Sequence, residues 1–387
     1  MKKHIQKMDL LLLLSSIILT IIGVVAIYSA SSVVTVLSQG VASNYYLKKQ
    51  VLIVLAASAF STLFILLFKY RLYKNKLIIY FLTIFIIVSL IGLKYYGMVV
   101  NGSRSWYDLG LFSFQPSEFA KTILILFMAY YYERLIKIKE YRWYLYFIPF
   151  LVAIIMAFLI FKQPDLGGAI IIALLVLLTF VSVPINKFVK KKCSSIIWIT
   201  IVIGLVLVAL VGPKLISEYQ RNRLNFLAPC TRYTEPTGYQ VCNSEIAIKN
   251  GGLTGLGFGN STQKYLYLPE AHTDFIFPII CEEMGIIGGI IVLLLYIAML
   301  YSILRIAKGA SKVSDSIIAY GTFIYLTIHI LINLLGVLAL MPLTGVPLPL
   351  LSYGGSFNIN VIVLLFVCQR IAIDSKNAKI TEKIKKL

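Results

Sequence analysis

DLLLLLSSIILTIIGVVAIYSA, residues 9–30, holds 21 consecutive uncharged residues after Asp9. A helix rises about 1.5 Å per residue, so such a run crosses the roughly 30 Å of hydrocarbon in a bilayer. Met1, Lys2 and Lys3 precede it as they would in a signal peptide. The apolar stretch is nevertheless long and no small-residue cleavage site follows, so it reads as a retained helix. Runs of the same character recur at 51–68, 77–95, 117–132, 145–161, 167–184, 195–213, 275–304, 317–340 and 355–373. With 59% hydrophobic and 13% charged residues and a mean hydropathy of +0.87, the chain reads as an all-α integral membrane protein of about ten transmembrane helices. It forms a single polytopic domain over residues 1–387, with a basic cytoplasmic tail at 374–387.

The 36 Lys and Arg orient these helices. Alternate connections, beginning with the N-terminal Lys2, Lys3 and Lys7 and ending with the tail, hold 24 of them; the opposite set holds 11, and Lys121 lies within a span. Both termini are therefore expected in the cytoplasm. The formal charge of +20 is a topology signal and an attraction to anionic headgroups, and no nucleic-acid partner is read from it. The cytoplasmic connections are short and carry no Gly-rich phosphate loop of the kind found in ATP-driven pumps.

The outer connections differ. Residues 214–274 form a long extracytoplasmic loop between spans 7 and 8, and 341–354 is rich in Pro and Gly. Long loops of this kind are usually functional or disordered, and the aromatic residues Trp106, Tyr107, Phe112, Tyr265 and Tyr267 argue against disorder, although an interfacial belt also uses such residues. Cys230 and Cys242 sit in the long loop, facing an oxidising compartment, as a disulfide or as two free thiols.

Ionisable groups at or near membrane depth are costly and mark sites by default. NGSRSWYDLGLFSFQPSEFAK, 101–121, offers Arg104, Trp106, Asp108, Glu118 and Lys121. A guanidinium can clamp a phosphate while an indole packs a sugar ring or a lipid tail. Glu118 and Lys121, three apart on one helix face, bind substrate or neutralise one another. In KQPDLGG, 162–168, Asp165 either caps the next helix, pairs with Lys162, or meets substrate. GGLTGLGFGNSTQKYLYLPEAHTDFIF, 251–277, is the densest polar stretch and brings together Lys264, Glu270, His272 and Asp274. Its glycines permit close backbone approach to a ligand. Asp274 stands at the water boundary before Phe275, Ile276 and Phe277, where desolvation raises a carboxylate pKa toward that of a general base. His272 is open to three roles: base, phosphate contact or structural hydrogen-bonder. MPLTGVPLPLLSYGGSF, 341–357, tolerates non-helical backbone at membrane depth only if it is buried or lines a cavity.

Together, NGSRSW, QPSE, QPDLG, the 251–277 stretch and TGVPLPLLSYGGS resemble the signatures of the SEDS family (shape, elongation, division and sporulation), whose members include FtsW, RodA and SpoVE. The match runs over nearly the whole chain. LPEAHTDFIF with Ala271 is similar to the FtsW and SpoVE branch, RodA proteins more often carrying Gln there. The Cys230 and Cys242 pair departs from the commoner pattern of that loop, a Pro-rich turn without cysteines.

The resemblance implies a GT-C-like fold and a peptidoglycan glycosyltransferase that polymerises lipid II on the outer face of the bacterial cytoplasmic membrane, at the septum for the FtsW branch. Its implied partners are a class B penicillin-binding protein and other division or elongation proteins. It maps the essential carboxylate onto Asp274, the Glu of LPEAH onto Glu270, and substrate contacts onto Arg104 and Trp106. A single inverting displacement follows, with Asp274 deprotonating the acceptor hydroxyl. The undecaprenyl pyrophosphate leaving group calls for cations, with Arg104, Lys264, Arg221 and Arg223 as candidates, or a divalent metal such as Mg or Mn whose ligands no residue set identifies. A RodA-type elongation or SpoVE-type sporulation paralogue would run the same chemistry. A lipid II flippase is the main rival, although few polar groups line a route to the cytoplasmic face. A scaffold that only recruits a synthase would leave Asp274 dispensable.

Overall fold

A computed structural model describes residues 7–37, 40–67, 74–100, 103–110, 113–215 and 227–385. Ten helices coincide with the ten apolar runs: α1 (Leu10–Leu37), α2 (Tyr45–Ser61), α3 (Lys76–Tyr96), α4 (Pro116–Lys137), α5 (Ile148–Phe161), α6 (Leu166–Val181), α7 (Lys187–Leu215), α9 (Ile276–Gly309), α10 (Val313–Val337) and α11 (Gly355–Lys385). An eleventh, α8 (Pro236–Gly251), lies within the 214–274 connection. A π-helical stretch, Thr62–Leu67, extends α2, and a 3₁₀ turn, Trp143–Phe147, leads into α5.

Seven of the membrane helices are long and apolar enough to span a bilayer on composition alone. Two others depart for visible reasons. α6 has 16 residues, about 24 Å at the helical rise, short of the roughly 30 Å core. α4 carries Glu118 and Lys121 near its N-terminal end, and it tolerates them because 15 of its 22 residues are buried among other helices. The bundle centres on α10 and α11, with 78% and 83% of their apolar windows buried against 17–39% in α1, α2, α3, α5 and α9, which leave apolar faces for lipid.

Between α3 and α4 lies a small antiparallel sheet, β1 (Met98–Val100), β2 (Ser103–Asp108) and β3 (Ser113–Phe114), with Met98 opposite Trp106 and Asp108 opposite Ser113. Within the 214–274 connection the described residues begin at 227 and include α8, whose glycine-rich exit runs against the start of α9. α11 continues through the described part of the basic tail to Lys385. Pro at the first turn starts α4 and α8, where its missing N–H costs no hydrogen bond.

α9 is broken. Gly285 has φ 70° and ψ −176°, a conformation open in practice only to glycine, so Ile276–Met284 forms a short N-terminal segment ahead of the main span. Chain from the end of α8 satisfies the freed backbone groups. Leu256 and Gly257 N–H donate to the Glu282 and Glu283 carbonyls at 3.0 Å each, and Ile286 and Ile287 N–H donate to Gly252 and Leu253 at 2.9 and 3.3 Å. The approach is so close that a Cβ on Gly285 would lie 2.1 Å from the Leu253 carbonyl oxygen. Backbone groups in an apolar setting must find internal partners, and here two segments supply each other's.

Candidate functional site

Asp274 stands just before the first turn of α9, half-buried, with Phe275 and Ile276 fully buried behind it. Glu270 shapes the turn that presents it. Its φ of 55° is unusual for a non-glycine residue, and its carbonyl accepts from Thr273 and Phe275 N–H at 3.1 and 3.3 Å. The Thr273 hydroxyl donates to the Glu270 carboxylate at 2.9 Å, which closes the loop on itself. Glu270 is exposed.

The Pro/Gly-rich segment lies against this turn. Gly345, at φ 69°, passes so near that a Cβ there would sit 3.1 Å from Asp274 Oδ2. The Asn333 amide of α10 donates to the Asp274 carbonyl at 2.7 Å and to the Val346 carbonyl at 2.8 Å. The N-terminus of α6 joins them, because a Cβ on Gly167 would contact Thr344 at 3.3 Å. Asp165 caps that helix, accepting from Gly168 N–H at 2.7 Å. The 344–346 segment therefore lies between the Asp274 turn on one side and the start of α6 on the other.

His272 belongs to an aromatic stack with Tyr46 of α2 and Tyr353, ring centroids 4.5 and 5.7 Å away, and its carbonyl accepts from Tyr353 N–H at 2.9 Å. Burial lowers the imidazole pKa below its ordinary value, with Glu270 pulling weakly the other way. Because the folded-state pKa is depressed, the stabilisation is complete above about pH 6.5 and fades as pH falls through and below that value. We expect the melting temperature between pH 7 and pH 5 to drop further for wild type than for His272→Gln; equal drops would contradict this.

β2 carries the other candidates. The exposed Arg104 donates to the Lys94 carbonyl at 2.9 Å, and Trp106 is half-buried beside Met98. Ser103 Oγ donates to the Gln163 carbonyl at 2.6 Å, which ties the sheet to the turn that precedes Asp165.

Lys264, a leaving-group candidate by sequence, is 3% exposed and engaged by Glu283 at 3.3 Å, Ser29 Oγ at 3.2 Å and the Gly259 carbonyl. Glu118 and Lys121 pair with each other at 2.6 Å and are nearly fully buried, so their geometry is that of mutual neutralisation. Arg221 and Arg223 lie outside the described residues. Cys230 and Cys242 form a disulfide that ties the Pro229–Arg232 turn to α8. Mass spectrometry of unreduced peptides should find them about 2 Da light, and Cys242→Ser should raise hydrogen exchange in residues 229–233; unchanged exchange would remove the disulfide's restraining role.

Sequence reading missed Glu282 and Glu283, although two carboxylates inside the apolar run FPIICEEMGIIGG were a signal in themselves. Glu282, fully buried, accepts from Ser261 and Thr262 hydroxyls, Thr262 and Gln263 N–H, and Asn250. It anchors the start of the 261–275 loop. Among the described residues no three His, Cys, Asp or Glu side chains gather in a way that could hold a metal ion.

The model of the FtsW/RodA/SpoVE family, described as "Cell cycle protein", matches residues 9–377. Over its full length, and 95% of the relative's, the chain is 34% identical to the probable peptidoglycan glycosyltransferase FtsW of Bacillus subtilis (strain 168). It is 37% identical to stage V sporulation protein E of the same organism, over 90% of this chain and 92% of that one. Among solved structures, a chain reported for the structural coordination of polymerization and crosslinking by a peptidoglycan synthase complex matches with TM-score 0.72 and 26% identity, covering 95% and 98% of the two chains. The rod shape determining protein RodA of Thermus thermophilus matches with TM-score 0.66 and 25% identity, covering 95% and 97%.

Proposed function

The chain belongs to the FtsW/RodA/SpoVE family of cell cycle proteins, and from that premise we propose that it is a peptidoglycan glycosyltransferase polymerising lipid II at the outer face of the cytoplasmic membrane. The observation that carries this reading is the Asp274 carboxylate, half-buried before the apolar start of α9 where the 344–346 segment passes it.

In the proposed reaction Asp274 removes the proton from the acceptor GlcNAc 4-hydroxyl. That oxygen forms a bond to the MurNAc anomeric carbon as the bond from this carbon to the pyrophosphate oxygen breaks. The electron pair leaves with undecaprenyl pyrophosphate, and the α-linked donor gives a β-1,4 product. One carboxylate suffices for an inverting transfer of this kind. Charge on the leaving group is met by exposed cations, for which Arg104 remains the described candidate, since Lys264 is already paired. Asp165, Glu118, Lys121 and His272 then act chiefly through structure, as cap, buried pair and stack. A divalent cation, Mg or Mn, would be held mainly by pyrophosphate oxygens with one or two carboxylates, so it needs no three-residue cage.

Both termini are placed in the cytoplasm by this reading, on the strength of the Lys and Arg bias, and a class B penicillin-binding protein is the proposed partner. Division at the septum is the setting this reading prefers, on the FtsW-like LPEAHTDFIF stretch, with a sporulation role as the alternative that the similarity to stage V sporulation protein E keeps open. The test is lipid II polymerisation by the purified full-length chain with its cognate penicillin-binding protein held transpeptidase-inactive. Glycan strands are expected; transport of lipid II without polymer would overturn the proposal in favour of a flippase.

A further inference from the structure

Asn333 of α10 is 4% exposed and gives both amide hydrogens to backbone carbonyls, Asp274 at 2.7 Å and Val346 at 2.8 Å. These two carbonyls flank the place where Gly345 passes the Asp274 carboxylate. With both acceptors fixed, the amide has one orientation, and its own Oδ1 is left buried without a hydrogen-bond partner. An unpaired buried acceptor is unfavourable and persists where the rest of the arrangement demands it.

The demand comes from below as well. Tyr325, His329 and Asn333 are spaced by four along α10 and share one face. The Tyr325 hydroxyl reaches Glu118 at 3.5 Å, and His329 Nε2 lies 3.4 Å from Lys121 Nζ. His329 also stacks on Phe357 of α11, centroids 4.8 Å apart. These contacts fix the rotation of α10 in the bundle, so Asn333 cannot turn away from the loop it holds. The buried Glu118–Lys121 pair is the lower end of this row and the Asp274 turn is its upper end.

We infer that Asn333 is a positioning residue for the glycosyl transfer, a clamp that sets the Asp274 turn against the 344–346 segment; this rests on the functional reading above. The 270–275 turn is held by Glu270 and by contacts to other segments, so the placement of its carboxylate depends on those contacts. Displacing a catalytic group by about 1 Å costs on the order of 10²-fold in rate.

The experiment measures kcat and KM for lipid II polymerisation by the full-length protein, alongside hydrogen exchange of peptides covering 272–276 and 344–348. Asn333→Ala removes both bonds, and Asn333→Asp sets an oxygen against two carbonyls. Each is expected to lose on the order of 10²-fold in kcat per folded molecule with little change in KM, and Asn333→Ser, which keeps one donor, should recover part of the loss. Exchange should rise in those two peptides and not elsewhere. A kcat per folded molecule close to wild type, or a rise in KM alone, would overturn the inference. If wild type itself polymerises nothing, the functional reading fails separately, and exchange still decides: a rise confined to both peptides in Asn333→Ala supports the clamp, and its absence overturns it.

Discussion

Asp274→Ala is expected to reduce lipid II polymerisation by about 10²–10⁴-fold, the contribution of a positioned general base, while leaving lipid II binding and the folded fraction largely intact. The substitution removes a half-buried side chain, while the Asp274 backbone carbonyl, Glu270 and His272 go on making the contacts that order the turn. Asp274→Asn keeps the shape and loses the base, so it should be as inactive as the alanine variant. Product chains counted by gel after equal loading of folded protein would decide the matter. Equal activity in wild type and Asp274→Ala would remove Asp274 as base and leave a recruiting scaffold in contention.

Glu283→Ala should give the largest loss of stability, about 3–5 kcal/mol, as expected when one partner of a buried ion pair is deleted. Its carboxylate faces Lys264 at 3.3 Å and Ser29 of α1 at 2.5 Å, and both charged side chains are almost fully buried. Without it the Lys264 ammonium keeps only neutral partners. Lys264→Met combined with Glu283→Leu removes both charges and should recover most of the loss, because apolar groups can fill the site without leaving an unpaired charge. Denaturation of Lys264→Met, Glu283→Leu and the double variant in one detergent forms a double-mutant cycle. Additive losses would mean that the two groups act independently. Polymerisation by a stable double variant would further show that Lys264 gives no charge to the leaving group.

The ten helices were legible because the length of an uncharged run is dictated by bilayer thickness and little else. The small sheet at 98–114 was not, since strands of two to six residues carry too few alternations to stand out. α8 was hidden because its composition is neither apolar enough for a span nor strongly patterned. The Asp274 region was readable as a polar stretch beside an apolar one. What the stretch touches was not: Asn333 is 59 residues from Asp274 in the chain, and Ser29 is 254 from Glu283. Lys264 illustrates the limit well. Among glycines in an outer loop it reads as a ligand-facing cation, and only the folded chain reveals the two glutamates that organise that loop from within α9.

The interruption at Gly285 also bears on how the chain enters the membrane. From Ile286 to Gly309 α9 has 24 residues, about 36 Å of helix, and this portion can cross the hydrocarbon unaided. The nine residues before the break, with Glu282 and Glu283 among them, need not be recognised as membrane by the insertion machinery, for which a carboxylate near the middle of a helix is strongly unfavourable. On the proposed topology they are translocated with the preceding loop, where they can collect their hydroxyl and amide donors in water before packing against the bundle. A straight 34-residue α9 would instead present two acidic residues to lipid before any partner had arrived.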